Sequence, residues 1–360
     1  MSRLLKAIFD CEVITPMFLA GADQKRAELR IPSIIGGLRY WLRTQHVTNS
    51  HQLYKIESDV FGNTNKKSKI NIRLNSTNQK FKSPKKFFKN RNSGIAYLWY
   101  STTLGKNDRK YLMPGTEFQL ILSSRRKHEK ELIKAIEALW LLTYLGGIGT
   151  RSRRCAGSFK TKLDKTNLNL SIPDFKVFDS KQFKKEVNKI INTSSNKKKP
   201  GYDCFDSNYS NMWIYKINNA KNWNEAVEII GDIFKSYRLR KGMNTNNGKD
   251  YQTIKEFLEN GRVPKSIERA SFGLPLRFQF SSTKKKANIN PYGNFNRRSS
   301  PLWLTIDRME TTYYLVITFF DSEFLPNNKI TINKRTTKVS EKSLVPDFVK
   351  NKFTKAVKIL

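Results

Sequence analysis

The feature that most restricts how this chain can fold is a helix that ends on glycine. Between 128 and 145, Leu132, Ile133, Ile136, Leu139, Trp140 and Tyr144 repeat at helical spacing and form a broad apolar stripe. Gly146-Gly147 then stops the helix, as glycine commonly does at helix C-termini. So wide a stripe has to be buried against other elements, and the flanking sequence supplies them. Residues 4–14 alternate apolar and polar positions and read as a strand. Pro32-Ser33 opens a helix reaching about residue 47. Its Ile34, Leu38, Trp41 and Leu42 share one face, and Arg39 and Arg43 stand four apart on another. A shorter helix is expected over 51–61, a strand-like run over 70–74, and strands at 95–101, 116–123 and 157–164. Strand, helix, strand, strand, helix, strand is the order of a split βαβ, ferredoxin-like unit.

The second half repeats that order loosely. A strand is expected at 212–217, then a helix over 223–240 with Trp223, Val227, Ile230, Phe234 and Tyr237 on one face. Strands at 274–280, 302–307 and 313–320 and a closing helix at 347–358 follow. The expected fold class is therefore α+β, with two tandem ferredoxin-like (RRM-like, βαββαβ) domains at 1–168 and 205–360. A joining segment, 169–204, contains the polar, lysine-rich run 192–201. A length of 360 residues suits two domains of about 150 residues each.

Lys and Arg number 67 against 30 Asp and Glu, a formal net charge of +37. That much charge repels itself in a compact fold, and a polyanion is the partner that relieves it, because each neutralised phosphate releases counterions. Drift toward lysine and asparagine in loops, as in the basic segment 62–92, would also raise the count. Arginines tied to glycine turns are not what such drift produces. Cys11, Cys155 and Cys204 are far apart, with no CxxC pair. With His46, His51 and His128 they make no metal-ligand spacing, so no disulfide scaffold, metal or other cofactor is expected. Lys6, Asp10 and Glu12 interrupt any signal-like apolar core, and no apolar run is long enough to span a bilayer. A soluble cytoplasmic protein without membrane partners is expected.

The densest motif is Gly146-Gly147-Ile148-Gly149-Thr150-Arg151-Ser152-Arg153-Arg154-Cys155-Ala156-Gly157-Ser158-Phe159. Glycines let backbone amides turn outward into an anion-binding concavity, and arginines add forked donors that suit phosphate. A Walker A loop would need a Lys after its glycine, and a dinucleotide fingerprint would follow a strand rather than a helix. The bland reading is a helix-ending turn with solvated arginines. A second motif runs from 27 to 43. There Gly36-Gly37 inside a helix start is costly, and is tolerated where something approaches closely. Ser33 and the free amides of that helix start could meet a phosphate. Arg269 before Leu274, and Arg297-Arg298 before Leu302, place cations just ahead of apolar runs; ordinary turns would do the same.

The stretches 28–43, 146–158 and 298–302 together resemble the RAMP superfamily of CRISPR proteins, and within it the first-numbered RAMP subunits of type III-B Cmr effector complexes. The resemblance runs the length of the chain. Gly36 stands where Lys is common, and Cys155-Ala156 where Gly and an aromatic are common, so a base-stacking ring is missing from this loop. The resemblance implies a non-catalytic, antiviral RNA-binding subunit with two ferredoxin-like domains. Its partners would be the 3′ part of the crRNA, the adjacent target RNA and other Cmr subunits, including the backbone RAMP subunit that does the cutting. By carry-over, Arg30, Arg39, Arg43, Arg151, Arg153 and Arg154 are expected on RNA. Ser33, Gly147, Gly149, Ser152, Lys160, Arg297 and Arg298 complete the expected set.

Two other classes compete. A metal-independent endoribonuclease processing pre-crRNA needs an acid and a base near a 2′-OH, and His46, close to Arg43 and His51, is the conceivable one. Such enzymes typically carry their glycine loop near the C-terminus, whereas here about 200 residues follow it. A metal-dependent nuclease would need clustered carboxylates, and Asp10, Glu12, Asp23 and Glu28 form no close pattern. A structural RNA-binding protein of ribosomal type fits the charge but not the paired motifs, and the standard RRM aromatic signature is absent.

Overall fold

The computed structural model describes residues 4–23, 26–76, 79–102, 109–191, 193–239, 246–280, 284–340 and 343–360. In chain order the first half holds β1 (Leu4–Val13), α1 (Ile31–Thr44), α2 (Ser50–Phe61), β2 (Ile70–Asn75), β3 (Phe81–Lys82), α3 (Gly94–Trp99), β4 (Tyr111–Leu112), β5 (Glu117–Arg125), α4 (Glu129–Tyr144), β6 (Phe159–Thr166) and α5 (Ser180–Ile190). The second holds β7 (Ser210–Lys216), α6 (Trp223–Leu239), α7 (Asn246–Asn260), β8 (Ser266–Ile267), β9 (Leu276–Gln279), β10 (Lys286–Pro291), β11 (Leu302–Met309), β12 (Thr312–Phe320), β13 (Lys329–Ile332), β14 (Arg335–Val339), α8 (Leu344–Lys352) and β15 (Val357–Lys358).

The first sheet has the order β2-β5-β1-β6 and is antiparallel throughout. β1 sets its core face by strict alternation: Leu5, Ala7, Phe9, Cys11 and Val13 point inward, where α1 and α4 cover them. The second sheet, β11-β12-β7-β15, is also antiparallel. Numbered along the chain, each sheet's own strands fall in the order 2-3-1-4. Leu302, Leu304, Ile306, Leu315, Ile317 and Phe319 meet α6 and α8 on one face of the second sheet. Met212, Ile214, Trp303, Val316 and Phe320 on its other face join the core of the first sheet. Burial on both faces explains why β11 and β12 are nearly continuous apolar runs.

Some sequence expectations fail for identifiable reasons. Residues 95–101 form no strand: α3 covers Gly94–Trp99. Its apolar residues Ile95, Ala96, Leu98 and Trp99 have helical rather than alternating spacing, and the Ser93 side chain caps the Ala96 amide at 3.0 Å. The Glu228 carboxylate of α6 takes the Gly94 and Ile95 amides at 2.7 and 3.0 Å. The expected closing helix at 347–358 begins earlier, at the Ser343 cap, and ends at Lys352; Val357–Lys358 instead pairs with β7. A third sheet, β8-β14-β13-β10-β9, was not expected. It assembles from segments inserted between α6 and β11 and between β12 and α8, so no contiguous stretch announces it. Nor was α5, whose Phe183, Val187 and Ile190 pack into the first core.

Candidate nucleic-acid interface at the sheet junction

The glycine-rich loop lies where the two sheets meet, and its glycines let neighbouring elements come close. A Cβ on Gly37 would sit 2.9 Å from Leu142 of α4, and one on Gly146 would sit 2.4 Å from the Trp41 indole nitrogen. Helix packing thus explains Gly37, whereas a Cβ on Gly36 would meet nothing within 4 Å. Gly149 has φ +98°, and a Cβ there would lie 2.3 Å from the Phe18 carbonyl. The expected nest of bare amides is partly closed. Ile148 donates to Gly157, Thr150 to Phe18, Cys155 to Leu304 of β11 and Gly157 to Pro16, at 2.8 to 3.0 Å. Much of the loop's backbone thus joins the sheets; the amides of Gly149, Arg151, Ser152 and Arg153 are not among those bonded.

Those side chains divide sharply. Arg154 is buried and donates to the carbonyls of Arg153 (2.7 Å), Leu302 (3.0 Å) and Phe272 (3.3 Å). Arg153 lies over the rings of Trp303 (4.5 Å) and Tyr40 (5.3 Å), bonds the Ser300 carbonyl and reaches Asp203 at 3.3 Å. Asp203 also accepts the hydroxyls of Tyr40 and Ser322, each at 2.8 Å, and faces Arg298 at 3.7 Å. Arg298 donates further to the Phe324 carbonyl and the Ser322 hydroxyl. Arg39 and Arg43 share Glu57 of α2 at 2.5 and 2.6 Å, and Arg39 also holds the carbonyls of Phe61 and Gly62. Most of these donors, expected on RNA, are occupied inside the protein.

Others lie nearer the surface, half-buried or exposed. Arg151, in the left-handed region, donates through Nε to Ser101 at 2.6 Å and covers the exposed Tyr100 ring at 4.7 Å. Arg297 is exposed, and Ser152 and Arg30 are half-buried. Ser33 and Gly149 line one cleft with Thr150 and Arg109, and Arg109 donates to the Thr150 hydroxyl at 3.0 Å. The first-helix motif and the glycine loop therefore do converge. Gly147 packs against the carbonyls of Ala156 and Gly157. Lys160 lies apart, on β6 opposite Glu12.

Behind Arg151 the cations crowd together. Arg238 at the end of α6 stacks near Phe234, Phe272 and Tyr97 at 5.4, 5.5 and 5.9 Å. Burial lowers the pKa of Arg151; Tyr100, by charge and hydrogen bond, offsets part of this, and Arg297 and Arg238 push it down further. Burial, then Arg238 and Arg151, does the same to Arg154. Arg269 is lowered by burial and by Arg238, while Asp250, whose carboxylate accepts the amides of Glu268 and Arg269, offsets part of this. His46, the conceivable catalytic base, is half-buried. Burial and then Lys134 lower its pKa, and its Nε2 makes no hydrogen bond. His51 is exposed on α2, and His128 lies 3.9 Å from Glu131.

A family model described as the RAMP superfamily matches residues 10–160. The Cmr subunit Cmr1-2 of the CRISPR system of Pyrococcus furiosus is 30% identical over 183 residues, 44% of this chain and 97% of that protein. The chain belongs to the Cmr1 family of the RAMP superfamily. Cmr1-1 of the same organism is 28% identical over 338 residues, 88% of each chain. The crystal structure of apo Cmr1 from Pyrococcus furiosus superposes with a TM-score of 0.61 at 22% identity, covering 98% of both chains. A cryo-EM structure of type III-B Cmr-beta bound to cognate target RNA gives 0.51 at 14% identity, over 98% of this chain and 99% of that one. The fold is that of the Cmr1 family.

Within this Cmr1-family chain, sequence reasoning missed Arg109, Arg238, Tyr100 and Asp203. Arg238 closes a helix with an otherwise ordinary apolar stripe, and Asp203 sits in a segment that reads as a linker. Only their spatial partners mark them. Among the described residues no group of His, Cys, Asp and Glu could hold a metal ion, and no helix is long and apolar enough to cross a membrane.

Proposed function

We propose that this chain is a non-catalytic RNA-binding subunit of a type III-B Cmr effector. It would hold the 3′ part of the crRNA and the adjacent target RNA beside other Cmr subunits, including the backbone RAMP subunit. In this reading the chain is two ferredoxin-like units, 1–168 and 205–360, joined through 169–204. The 2-3-1-4 strand order in both sheets supports that division. The observation that carries the RNA reading is the placement of Arg109 with Ser33 and Gly149 in one cleft and of Arg43 with the exposed Arg297 in another, with Arg238 crowding Arg151 and Arg154 behind them. The charged groups that perturb Arg154 most are other arginines, Arg238 foremost, so each neighbour raises the cost of keeping it charged. A polyanion at the exposed Arg297, reaching the half-buried Arg151, would reverse that cost.

The reading revises the contact set. Arg151, Arg297, Arg109, Arg43, Arg30 and Ser33 are the groups left to meet phosphates. Arg153, Arg154, Arg298 and Arg39 position the loop and the helix that carry them. Phosphate contacts of this kind bind without reading sequence, as a variable guide requires. The test is incubation of the pure protein, without metal, with end-labelled crRNA-like and unrelated single-stranded RNA, read for both mobility shift and cleavage across a salt series. The expected result is a salt-sensitive shift with intact RNA. Specific cleavage lost in His46→Ala would replace the binding reading with the endoribonuclease one.

A further inference from the structure

The turn between β10 and β11 carries a group that the arginine cluster does not explain. Residues 292–297 read Tyr-Gly-Asn-Phe-Asn-Arg, a hydrophilic turn in which Gly293 adopts φ +78°. Phe295, at its tip, is 51% exposed. Some exposed or half-exposed rings have a cation over them: Arg151 covers Tyr100 at 4.7 Å, Lys329 covers Tyr292 at 5.6 Å and Arg298 covers Phe324 at 5.1 Å, whereas the exposed Tyr54 and Phe178 do not. Among the described residues Phe295 has no such cover. A bare phenyl ring on a polar turn loses the gain of burial unless a ligand covers it.

The surroundings indicate which ligand. Phe295 and Arg297 line one groove together with Arg43, Leu53, Tyr202 and Leu325. Leu53 and Leu325 are buried, so the groove has an apolar base. The Tyr202 hydroxyl bonds the carbonyls of His46 and Thr48 at 2.8 and 2.9 Å, which holds that residue in place. Arg297 is exposed, and Arg43, though paired with Glu57, keeps a 37% exposed side chain. The acids that line the groove are Asp203, already engaged by Tyr40, Ser322, Arg153 and Arg298, and the exposed Glu323. A flat ring over an apolar base, flanked by guanidiniums, matches a nucleobase with its neighbouring phosphates. The glycine-rich loop offers no such ring: Cys155 and Ala156 are fully buried in it.

We propose that Phe295 is a stacking platform for an unpaired base of single-stranded RNA, with Arg297 and Arg43 on the flanking phosphates. This rests on the RNA-binding reading and adds a base contact to a surface otherwise suited to phosphate alone. Stacking tolerates any base, because every base has a π-face, so it stays compatible with a variable guide.

The experiment compares full-length wild type, Phe295→Ala and Phe295→Trp by fluorescence anisotropy. The probes are labelled single-stranded RNA and an equally long, equally charged oligomer made of abasic units. The expected result is a loss of about five-fold or more for Phe295→Ala on RNA, the low end for one base–aromatic stack. The abasic oligomer should bind wild type and Phe295→Ala alike, and Phe295→Trp should restore or exceed wild-type affinity for RNA. Phe295→Ala binding RNA as tightly as wild type would overturn the platform while leaving the phosphate surface standing. Equal losses on both oligomers would also overturn it, because the effect would not depend on bases. No salt-sensitive binding by wild type would remove the RNA reading itself and the platform with it. Phe295 is exposed on a turn, so unchanged thermal melting is expected for both variants.

Discussion

Two arginine neighbourhoods meet at the sheet junction, and the glycine-rich loop feeds both. Around Asp203, Arg153 and Arg298 are paired with a carboxylate, stacked on Trp303 and Phe324, and bonded to carbonyls. Around Arg238, the cations Arg151, Arg154 and Arg269 face one another with little acid between them. The first set is compensated within the protein and serves architecture. The second is compensated only in part, by Asp250 near Arg269, Tyr100 against Arg151 and the carbonyls that hold Arg154, and in the proposed reading an outside anion completes it. Residue type and spacing are the same in both, so composition cannot separate a structural arginine from a binding one. The location of the nearest carboxylate can.

The largest expected effect breaks the compensated side. The Asp203 side chain is 8% exposed and holds together α1, the loop, Arg298 and Ser322. Asp203→Ala should cost about 3–5 kcal/mol in urea unfolding, the usual cost of stranding a buried charge. Asp203→Asn, which keeps one acceptor oxygen for Tyr40 or Ser322, should recover part of it. A loss under about 1 kcal/mol would mean that these arginines need no partner, and the contrast with the Arg238 cluster would fail.

The next effect is the acidic mirror of that cluster. Asp307 is buried on β11, with one carboxylate oxygen taking the Arg308 amide at 2.8 Å and the other unpartnered. Burial raises its pKa to about 6, against the pull of the Arg308 amide, Lys160 and Arg308. Its folded value therefore lies above the unfolded value of about 3.9, and the folded state holds the proton more tightly. Stability should be fully present below about pH 4 and fall as pH rises through about 6. The drop should be on the order of 2–3 kcal/mol. Glu137, raised by burial to about 7, acts in the same direction, so the informative quantity is the difference between wild type and Asp307→Asn. Urea midpoints from pH 4 to 7 should converge at the acid end and diverge above it. Parallel curves would mean that Asp307 ionises in the fold at no cost.

What could be read in the sequence divides along a related line. β1, α1, α4, β6, α6 and the β11–β12 hairpin were legible because their apolar periods are local properties. The glycine loop was legible from its own motif, whereas its meeting with Ser33 is a property of the folded chain. The third sheet was not legible, because its strands come from insertions far apart in the chain. Nor was α3, whose start is capped by Glu228, more than 130 residues away. Within the site, the motifs located the loop but gave the wrong direction for Arg153 and Arg154. That direction depends on Asp203, Trp303 and Leu302 across the junction, which no pattern in 146–158 contains.

The partly compensated side is tested by subtraction. Arg151→Ala with Arg297→Ala removes two proposed phosphate contacts and no carboxylate partner. At about 0.7 of log–log salt slope per contact on a single strand, the slope should flatten by about 1.4, and affinity at 0.1 M salt should fall about 25-fold. Thermal stability should hold or rise, because two mutually repelling charges are gone. Unchanged slopes would remove the polyanion from this cluster.

The smallest effect separates two arginines one helical turn apart. Arg39 and Arg43 on α1 both reach Glu57, but only Arg39 also takes the Phe61 and Gly62 carbonyls that close α2. Arg39 therefore belongs with the compensated set, whereas Arg43 lines the groove with Phe295. Arg39→Ala should cost about 1–2 kcal/mol of stability, the scale of a few charge-assisted hydrogen bonds at a half-exposed site, and shift RNA affinity by less than about two-fold. Arg43→Ala should do the reverse, leaving the α2 end capped while weakening RNA by roughly five-fold, as one lost phosphate contact at 0.1 M salt predicts. If both variants lose stability and neither loses affinity, Glu57 holds the pair as one structural unit, and the line between the two arginine sets falls beyond α1, at the glycine loop itself.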